Sequence, residues 1–364
     1  MLNWQKFSSR SFDWPLIIAV CLLVAVGLAV IYSVDLSRGS ELIYFKKQII
    51  AFLIGLVLMA AASSVQFTFF KTYAKWIYLL SAVLLLLVLV FGANIRGTRG
   101  WFDFGGFSFQ PVEFAKVGII LMLAYISAGF GRRFHSLLFF IGSGVVTLIL
   151  ICLIMLQPDL GSAVLIGSVW LGFMLLLGTK KRYLLILAGV LVAVSVAAWF
   201  LFLQDYQKDR ILSFVNPSRD PLYSGYNVIQ SIIAVGSGHL TGRGLGFGSQ
   251  SQLRFLPETQ TDFIFSVIGE ELGLAGVSLM LVLFAFICWR LIRIVRQTNN
   301  DFIAMSVSGI VILFFVQFIV NVGANIGLLP VTGVTLPFVS YGGSSLIMNL
   351  LLIGIAESMC RKKY

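Results

Sequence analysis

Ten runs of predominantly apolar residues divide this chain, near 15–34, 48–65, 76–93, 114–130, 137–156, 160–178, 183–203, 262–289, 302–324 and 341–359. A bilayer's hydrocarbon core takes about 20 helical residues to cross, so each run is a candidate spanning helix. The pattern predicts an all-α polytopic membrane protein with about ten transmembrane helices. Composition agrees: 59% of the 364 residues are apolar and 11% are charged, against roughly a quarter charged in an average soluble domain. A soluble enzyme is excluded.

Charge gives an orientation. The 26 basic residues outnumber the 15 acidic ones, but they fall in short loops between spans rather than on one soluble face. That argues for topology and against a nucleic-acid partner. An even number of spans puts both termini on one side, and the distribution of Lys and Arg makes that side cytoplasmic. Fifteen of the 26 basic residues then lie inside, while 12 of the 15 acids, all but Asp13, Asp301 and Glu357, lie outside. Lys6 and Arg10 precede the first run without a small-residue cleavage pattern, so the first helix is expected to be retained. Cys21, Cys152, Cys288 and Cys360 have no metal-ligand spacing and are expected to pack among lipid-level side chains.

The long connections, about 94–112, 204–261 and 325–340, all fall on the outer side. Long ordered loops are where binding and catalytic groups collect. The longest, between helices 7 and 8, holds Pro217, Pro221, Pro257 and a glycine-rich run at 236–248. It is expected to contain short amphipathic or re-entrant pieces, with Leu212, Phe214, Ile229, Ile232 and Ile233 docking at the interface.

Three helices entering from that side start with a carboxylate: Glu113 after Gln110-Pro111, Asp159 after Gln157-Pro158, and Asp262 after Thr261. An acid at a helix start is ordinarily a cap. Three on one side, next to the long loops, point to a shared polar cavity. Lys116 lies one turn below Glu113, as an intrahelical ion pair or as part of a site for a charged ligand. Glu270 and Glu271 follow deeper in the Asp262 helix, as relay groups or buried structural acids. Gly242-Arg243-Gly244-Leu245-Gly246-Phe247-Gly248 lacks the strand and following helix of a dinucleotide fingerprint and reads as a flexible turn series, leaving Arg243 to meet an anion. Ser340-Tyr341-Gly342-Gly343-Ser344-Ser345 opens the last helix with small residues that permit close approach. His135 and His239 have no neighbouring nucleophile, so a Ser–His or metal site has little support. The residues describe an outward, carboxylate-rich cavity with Arg99, Lys116, Arg210, Arg243 and Arg254 as anion partners. Such a cavity suits a lipid-linked anionic substrate, and equally a proton-coupled transporter.

Several motifs carry a resemblance. They are Gly97-Thr98-Arg99-Gly100-Trp101, Phe107-Ser108-Phe109-Gln110-Pro111-Val112-Glu113-Phe114-Ala115-Lys116, Gln157-Pro158-Asp159-Leu160-Gly161, Asn216-Pro217, Gly225-Tyr226 with Gln230-Ser231, Leu256-Pro257-Glu258 leading to Thr261-Asp262-Phe263-Ile264-Phe265, Pro330-Val331-Thr332-Gly333, Leu336-Pro337-Phe338 and Ser340-Tyr341-Gly342-Gly343-Ser344. In order and spacing the chain resembles the SEDS proteins (shape, elongation, division and sporulation), nearer their elongation branch than their division branch. The resemblance implies a single domain over 1–364 and a peptidoglycan glycosyltransferase of the bacterial cytoplasmic (inner) membrane that polymerises lipid II on the outer face beside a class B penicillin-binding protein. It puts the catalytic base on Asp262 and substrate contacts on Arg99, Trp101, Glu113, Lys116, Asp159, Arg210 and Glu258. A divalent cation, magnesium or manganese, is the one cofactor the pyrophosphate chemistry invites. Gly100 departs from the pattern, since relatives usually carry a second basic or polar residue before the tryptophan. The rival expectations are a lipid II flippase or other transporter of lipid-linked substrates, and a noncatalytic scaffold.

Overall fold

A computed structural model describes residues 12–37, 39, 41–95, 98–103, 105–131, 136–201, 208, 212 and 224–360. All ten apolar runs form helices: α1 (Trp14–Ser37), α2 (Ile43–Ser64), α3 (Phe67–Phe91), α4 (Pro111–Phe130), α5 (Leu137–Met155), α6 (Leu160–Leu176), α7 (Lys181–Leu201), α10 (Ile264–Gln297), α11 (Asp301–Asn325) and α12 (Gly343–Cys360). Between α7 and α10 lie α8 (Ser224–Ser237) and the single turn α9 (Ser249–Gln252). Among the described residues eight helices are long and apolar enough to cross a membrane, and α6 is shorter. This is a multi-pass helical membrane protein. The four cysteines are free thiols, with Cys152 exposed on the apolar perimeter and the others half-buried.

The connection at 94–112 is not plain coil. β1 (Ala93–Ile95), β2 (Thr98–Asp103) and β3 (Ser108–Phe109) form a small antiparallel sheet in the order β1-β2-β3, with Ala93 opposite Trp101 and Phe102 opposite Phe109. Short strands separated by turn residues carry too little apolar periodicity to stand out beside twenty-residue runs. Ser344 Oγ donates to Ser108 O at 2.9 Å and accepts from Gln110 N at 3.2 Å, which fixes the sheet over the start of α12.

α4 and α12 are the most enclosed helices, and α2 packs along α12. Small residues permit that approach: a β-carbon at Gly354 would overlap the backbone of Met59. Helix starts follow local rules. Asn300 caps α11 by accepting from Phe302 N at 3.0 Å and Ile303 N at 3.3 Å, and Ser136 caps α5 through Phe139 N.

Two buried polar latches join α1 to α10. At one end Arg290 Nε donates to Asp13 Oδ2 at 2.9 Å, while Asp13 N donates to Glu357 Oε2 at 3.1 Å. At the other, Ser33 Oγ donates to Glu271 Oε2 at 2.7 Å. At 1.5 Å per residue, the stretch Asp13–Ser33 rises ~30 Å and Gly273–Arg290 ~26 Å. Both match the hydrocarbon thickness of roughly 30 Å, so the latches are spaced as the two edges of an apolar slab would be.

α10 is broken near the second latch. Gly273 has φ 64° and ψ −162°, outside the helical region. The backbone groups freed by the break are taken up by the glycine-rich turn: Leu274 N donates to His239 O at 2.9 Å, Ala275 N to Leu240 O at 3.0 Å, Arg243 N to Glu270 O at 3.0 Å and Gly244 N to Glu271 O at 2.9 Å. In or beside a membrane such groups must be satisfied within the protein. The expected flexible turn series is therefore a fixed structure that caps a broken helix, and a helix, α9, does follow it. The expected re-entrant pieces of the 204–261 connection take this form. Ile232 and Ile233 are exposed and Ile229 half-buried. Phe214 and the Pro217–Pro221 segment lie outside the described residues.

Candidate functional site

A cavity of about 340 Å³ opens at the end of the bundle that carries the second latch. Its wall is made by the sheet, the first turns of α4, α6 and α12, the turn before α10 and the 330–335 segment. Counted from Glu357, which belongs to the first latch, α12 begins ~21 Å along the bundle, a few ångströms short of the second latch's level.

Five of the sequence-predicted residues line it: Trp101, Glu113, Lys116, Asp159 and Asp262. Trp101 is presented from the middle of β2. Pro111 sits at the first position of α4, where its missing N–H costs nothing, and this places Glu113 in the first turn. Glu113 Oε1 pairs with Lys116 Nζ at 2.7 Å, with both side chains buried. Glu113 Oε2 is buried without a hydrogen-bond partner. Asp159 caps α6: Oδ1 accepts from Ser162 N at 3.0 Å and Oδ2 from Ser162 Oγ at 2.7 Å. Gln110 Nε2 reaches Asp159 Oδ2 at 3.4 Å, linking the starts of α4 and α6.

Asp262 is half-buried and lines the cavity from the turn one residue before the N-cap Phe263. Its backbone is clamped. Asp262 O accepts from Asn321 Nδ2 at 3.1 Å and from Asn325 Nδ2 at 2.8 Å, and Asn325 Oδ1 accepts from Ser266 N and Oγ at 3.2 and 2.7 Å. On the other flank Ser340 Oγ donates to Thr261 O at 2.7 Å and Tyr341 N donates to Gln260 O at 2.8 Å. Gln48, buried on α2, holds the Ser340–Gly342 turn from both sides, donating Nε2 to Ser340 O at 3.0 Å and accepting from Gly342 N at 3.1 Å. The carboxylate therefore rides on a segment fixed by α11 and by the turn before α12, which α2 in turn holds.

The remaining expectations fall elsewhere. Arg99 is exposed and donates Nε to Gly92 O at 3.2 Å, outside the cavity wall. Glu258 shapes the turn before Asp262: its φ is 51°, its carbonyl accepts from Thr261 N at 3.1 Å, and its Oε2 accepts from Thr261 Oγ1 at 3.1 Å. It too is absent from the wall. Arg210 and His135 lie outside the described residues. Arg243, expected as a loose anion partner, donates Nη1 to Ser249 Oγ at 2.7 Å. Glu270 and Glu271 are fully buried and do not line the cavity. Glu270 accepts from Gln250 N at 2.7 Å and Ser251 N at 3.0 Å, and Glu271 accepts from Ser33, Ser251 and Gln252 side chains. Theirs is the structural role. At Gly100 a β-carbon would lie 3.3 Å from Gln157 Oε1, itself a buried acceptor without a partner.

The sequence reading passed over Gln48, Asn321 and Asn325. Asn321 inside the apolar run and Asn325 one turn on, just past its end, were the available signal, because polar amides at membrane depth need a partner. Chemically, the site offers one carboxylate on a rigid turn, a buried ion pair and a second, capping carboxylate around a polar hollow.

The chain is 37% identical to the peptidoglycan glycosyltransferase MrdB of Escherichia coli K12, over 98% of this chain and 94% of that protein. Its fold superposes with TM-score 0.80 and 31% identity on a chain from a peptidoglycan synthase complex described as coordinating polymerization and crosslinking, covering 96% of this chain and 98% of that one. It matches the Thermus thermophilus rod shape determining protein RodA with TM-score 0.73 and 30% identity, covering 97% and 98% of the two chains. Residues 13–364 match the profile of the FtsW/RodA/SpoVE family, described as "Cell cycle protein", and the chain belongs to that family.

Proposed function

We propose that this chain is a peptidoglycan glycosyltransferase that polymerises lipid II at the outer face of the bacterial cytoplasmic membrane, with Asp262 as the general base. The observation that carries the proposal is the convergence of Asp262, Glu113, Lys116, Asp159 and Trp101 on one cavity near the second latch's level. A lipid pyrophosphate linked to a sugar has its anionic group at this depth and its tail in the bilayer. Residues 1–364 act as one domain, with both termini cytoplasmic and the cavity facing outward.

The donor's anomeric carbon carries a lipid pyrophosphate, already a good leaving group, so the site needs mainly a base for the acceptor hydroxyl. Asp262 takes that proton as the acceptor oxygen bonds to the anomeric carbon and the bond to the pyrophosphate breaks. In-line displacement inverts an α-linked donor to a β-1,4 link. One carboxylate suffices where glycoside hydrolysis uses two. The clamp from Asn321 and Asn325 keeps the base from drifting, which matters because small misplacements cost large factors in rate. Lys116, oriented by Glu113, supplies positive charge toward the developing pyrophosphate. Asp159 and Trp101 line the sugar-binding part of the hollow.

The match to a complex that couples polymerization and crosslinking supports a class B penicillin-binding protein as partner, and the likeness to a rod shape determining protein supports a role in elongation and cell shape. The test is polymerisation of labelled lipid II by the purified protein with its transpeptidase partner, comparing wild type with Asp262→Asn at matched folding. Glycan strands from wild type and none from the variant are expected. Equal strands from both would remove Asp262 from the role of base, and lipid II translocation without strands would move the protein to the transporters.

A further inference from the structure

The glycine-rich turn has an outer face that the site does not use. Its backbone is tied to Glu270, Glu271, Leu274 and Ala275 around the Gly273 break, and that break lies ~26 Å along α10 from the Arg290 latch, where the second edge of an apolar slab would be. A segment fixed at that height meets neither bulk water nor the bilayer centre. It meets the boundary between acyl chains and headgroups.

The side chains there suit that boundary. Leu240 is 70% exposed and Phe247 77% exposed, and Leu253 beside them is also exposed. The patch continues the lipid-facing surface of α10, where Leu274 and Leu279 are exposed, because Leu240 O accepts from Ala275 N. Arg243 stands among these apolar residues, exposed. Its side-chain bonds go to Ser249 Oγ and, at 3.4 Å, to Ser237 O, and no carboxylate among the described residues pairs with it. Apolar tips around an arginine at this depth are the composition of an interfacial anchor: the tips enter the acyl region and the guanidinium meets lipid phosphate.

We propose that His239–Phe247 is a membrane anchor that inserts Leu240 and Phe247 into the leaflet on the cavity side and holds an anionic phospholipid headgroup with Arg243. The anchor and the Asp262 turn are joined through α10, so the leaflet surface becomes the reference from which the cavity's depth is set.

The experiment uses the full chain in nanodiscs of phosphatidylethanolamine and phosphatidylglycerol, with the four native cysteines replaced by alanine and a nitroxide placed by Phe247→Cys or Leu240→Cys. Leu279→Cys, on the lipid-facing side of α10, and Asp103→Cys, on the exposed sheet, are the two references. Accessibility to oxygen and to a water-soluble nickel chelate is expected to match position 279, with high oxygen and low nickel contact. A profile matching position 103 would overturn insertion. So would protection from both reagents, which would mean that a second copy or another protein covers the patch. For the headgroup, native mass spectrometry of wild type and Arg243→Gln, matched by gel-filtration profile, is expected to show the loss of one retained phosphatidylglycerol and no change in retained phosphatidylethanolamine. Equal phosphatidylglycerol retention would overturn the Arg243 contact.

Discussion

Replacing Gly273 with alanine tests the idea that a broken helix, rather than a continuous one, carries the site. At φ 64° and ψ −162° the backbone occupies a region open essentially to glycine alone, costing another residue about 1–3 kcal/mol. The new β-carbon would overlap Gly242 N and lie 2.8 Å from Gly238 O and Leu240 O, all backbone atoms that cannot swing aside. The turn would have to withdraw, giving up its bonds to Leu274 N, Ala275 N, Glu270 O and Glu271 O. At a net of about 1 kcal/mol each, and with some bonds surviving relaxation, the total destabilisation is about 4–6 kcal/mol, at the top of the range for single substitutions. Reversible unfolding by SDS titration in mixed micelles measures it, with Gly236→Ala as control, since a β-carbon there meets nothing within 4 Å. The reasoning is refuted if Gly273→Ala falls within about 0.5 kcal/mol of wild type, for then α10 straightens without penalty and the turn is not its cap.

Other substitutions probe the cavity wall. Glu113→Gln and Lys116→Met each leave one charge of a buried pair uncompensated and are expected to cost about 3–5 kcal/mol. The double variant should cost less than the sum, and strict additivity in the same unfolding assay would deny the pairing. Asn325→Leu removes a clamp from Asp262 O and a partner from Ser266; steady-state polymerisation should show kcat lowered about tenfold or more with a smaller change in KM, whereas an unchanged kcat would show that the clamp is idle. Gln48→Leu strands Gly342 N and Ser340 O, and thermal unfolding should report a loss of about 1–3 kcal/mol.

The fold was legible because apolar length is a strong and redundant signal. Every run from 15–34 to 341–359 became a helix, since twenty apolar residues in succession have few alternatives at membrane depth. The three carboxylates at helix starts were legible for a related reason, because Pro111 and the Asp159–Ser162 spacing mark helix beginnings locally. Partners distant in sequence were not. Nothing near Glu271 announces Ser33, 238 residues away, and nothing near Asp262 announces Asn325. The glycine run misled for a similar reason. Its positive-φ glycines at 242, 244 and 246 read as freedom until a broken helix supplies the carbonyls that lock them. Arg99 and Glu258 show a different limit: a motif places a residue beside a site, but only packing decides whether its side chain faces inward.

Charge in the cavity leads to a last prediction. Among the described residues of its wall Glu113 is paired with Lys116, while Asp159 has no cationic partner there, a negative charge facing the anionic substrate we propose. Two like-charged partners in a partly dry hollow repel strongly unless a countercharge enters with the ligand. No three His, Cys, Asp or Glu side chains among the described residues are grouped closely enough to cage a metal by themselves. A magnesium-type cation, which keeps its waters and binds through one or two carboxylates plus substrate phosphates, suits that arrangement better than a resident ion. Polymerisation is therefore expected to fall on chelation with EDTA and to return with magnesium or manganese. If a cation enters with the proposed pyrophosphate substrate, the dependence should appear mainly in KM for lipid II, and thermal stability of the free protein should not change with added metal. Full activity in EDTA would refute the charge argument. A rise in the free protein's melting temperature with magnesium would instead show a resident site, contrary to the sparse ligand set.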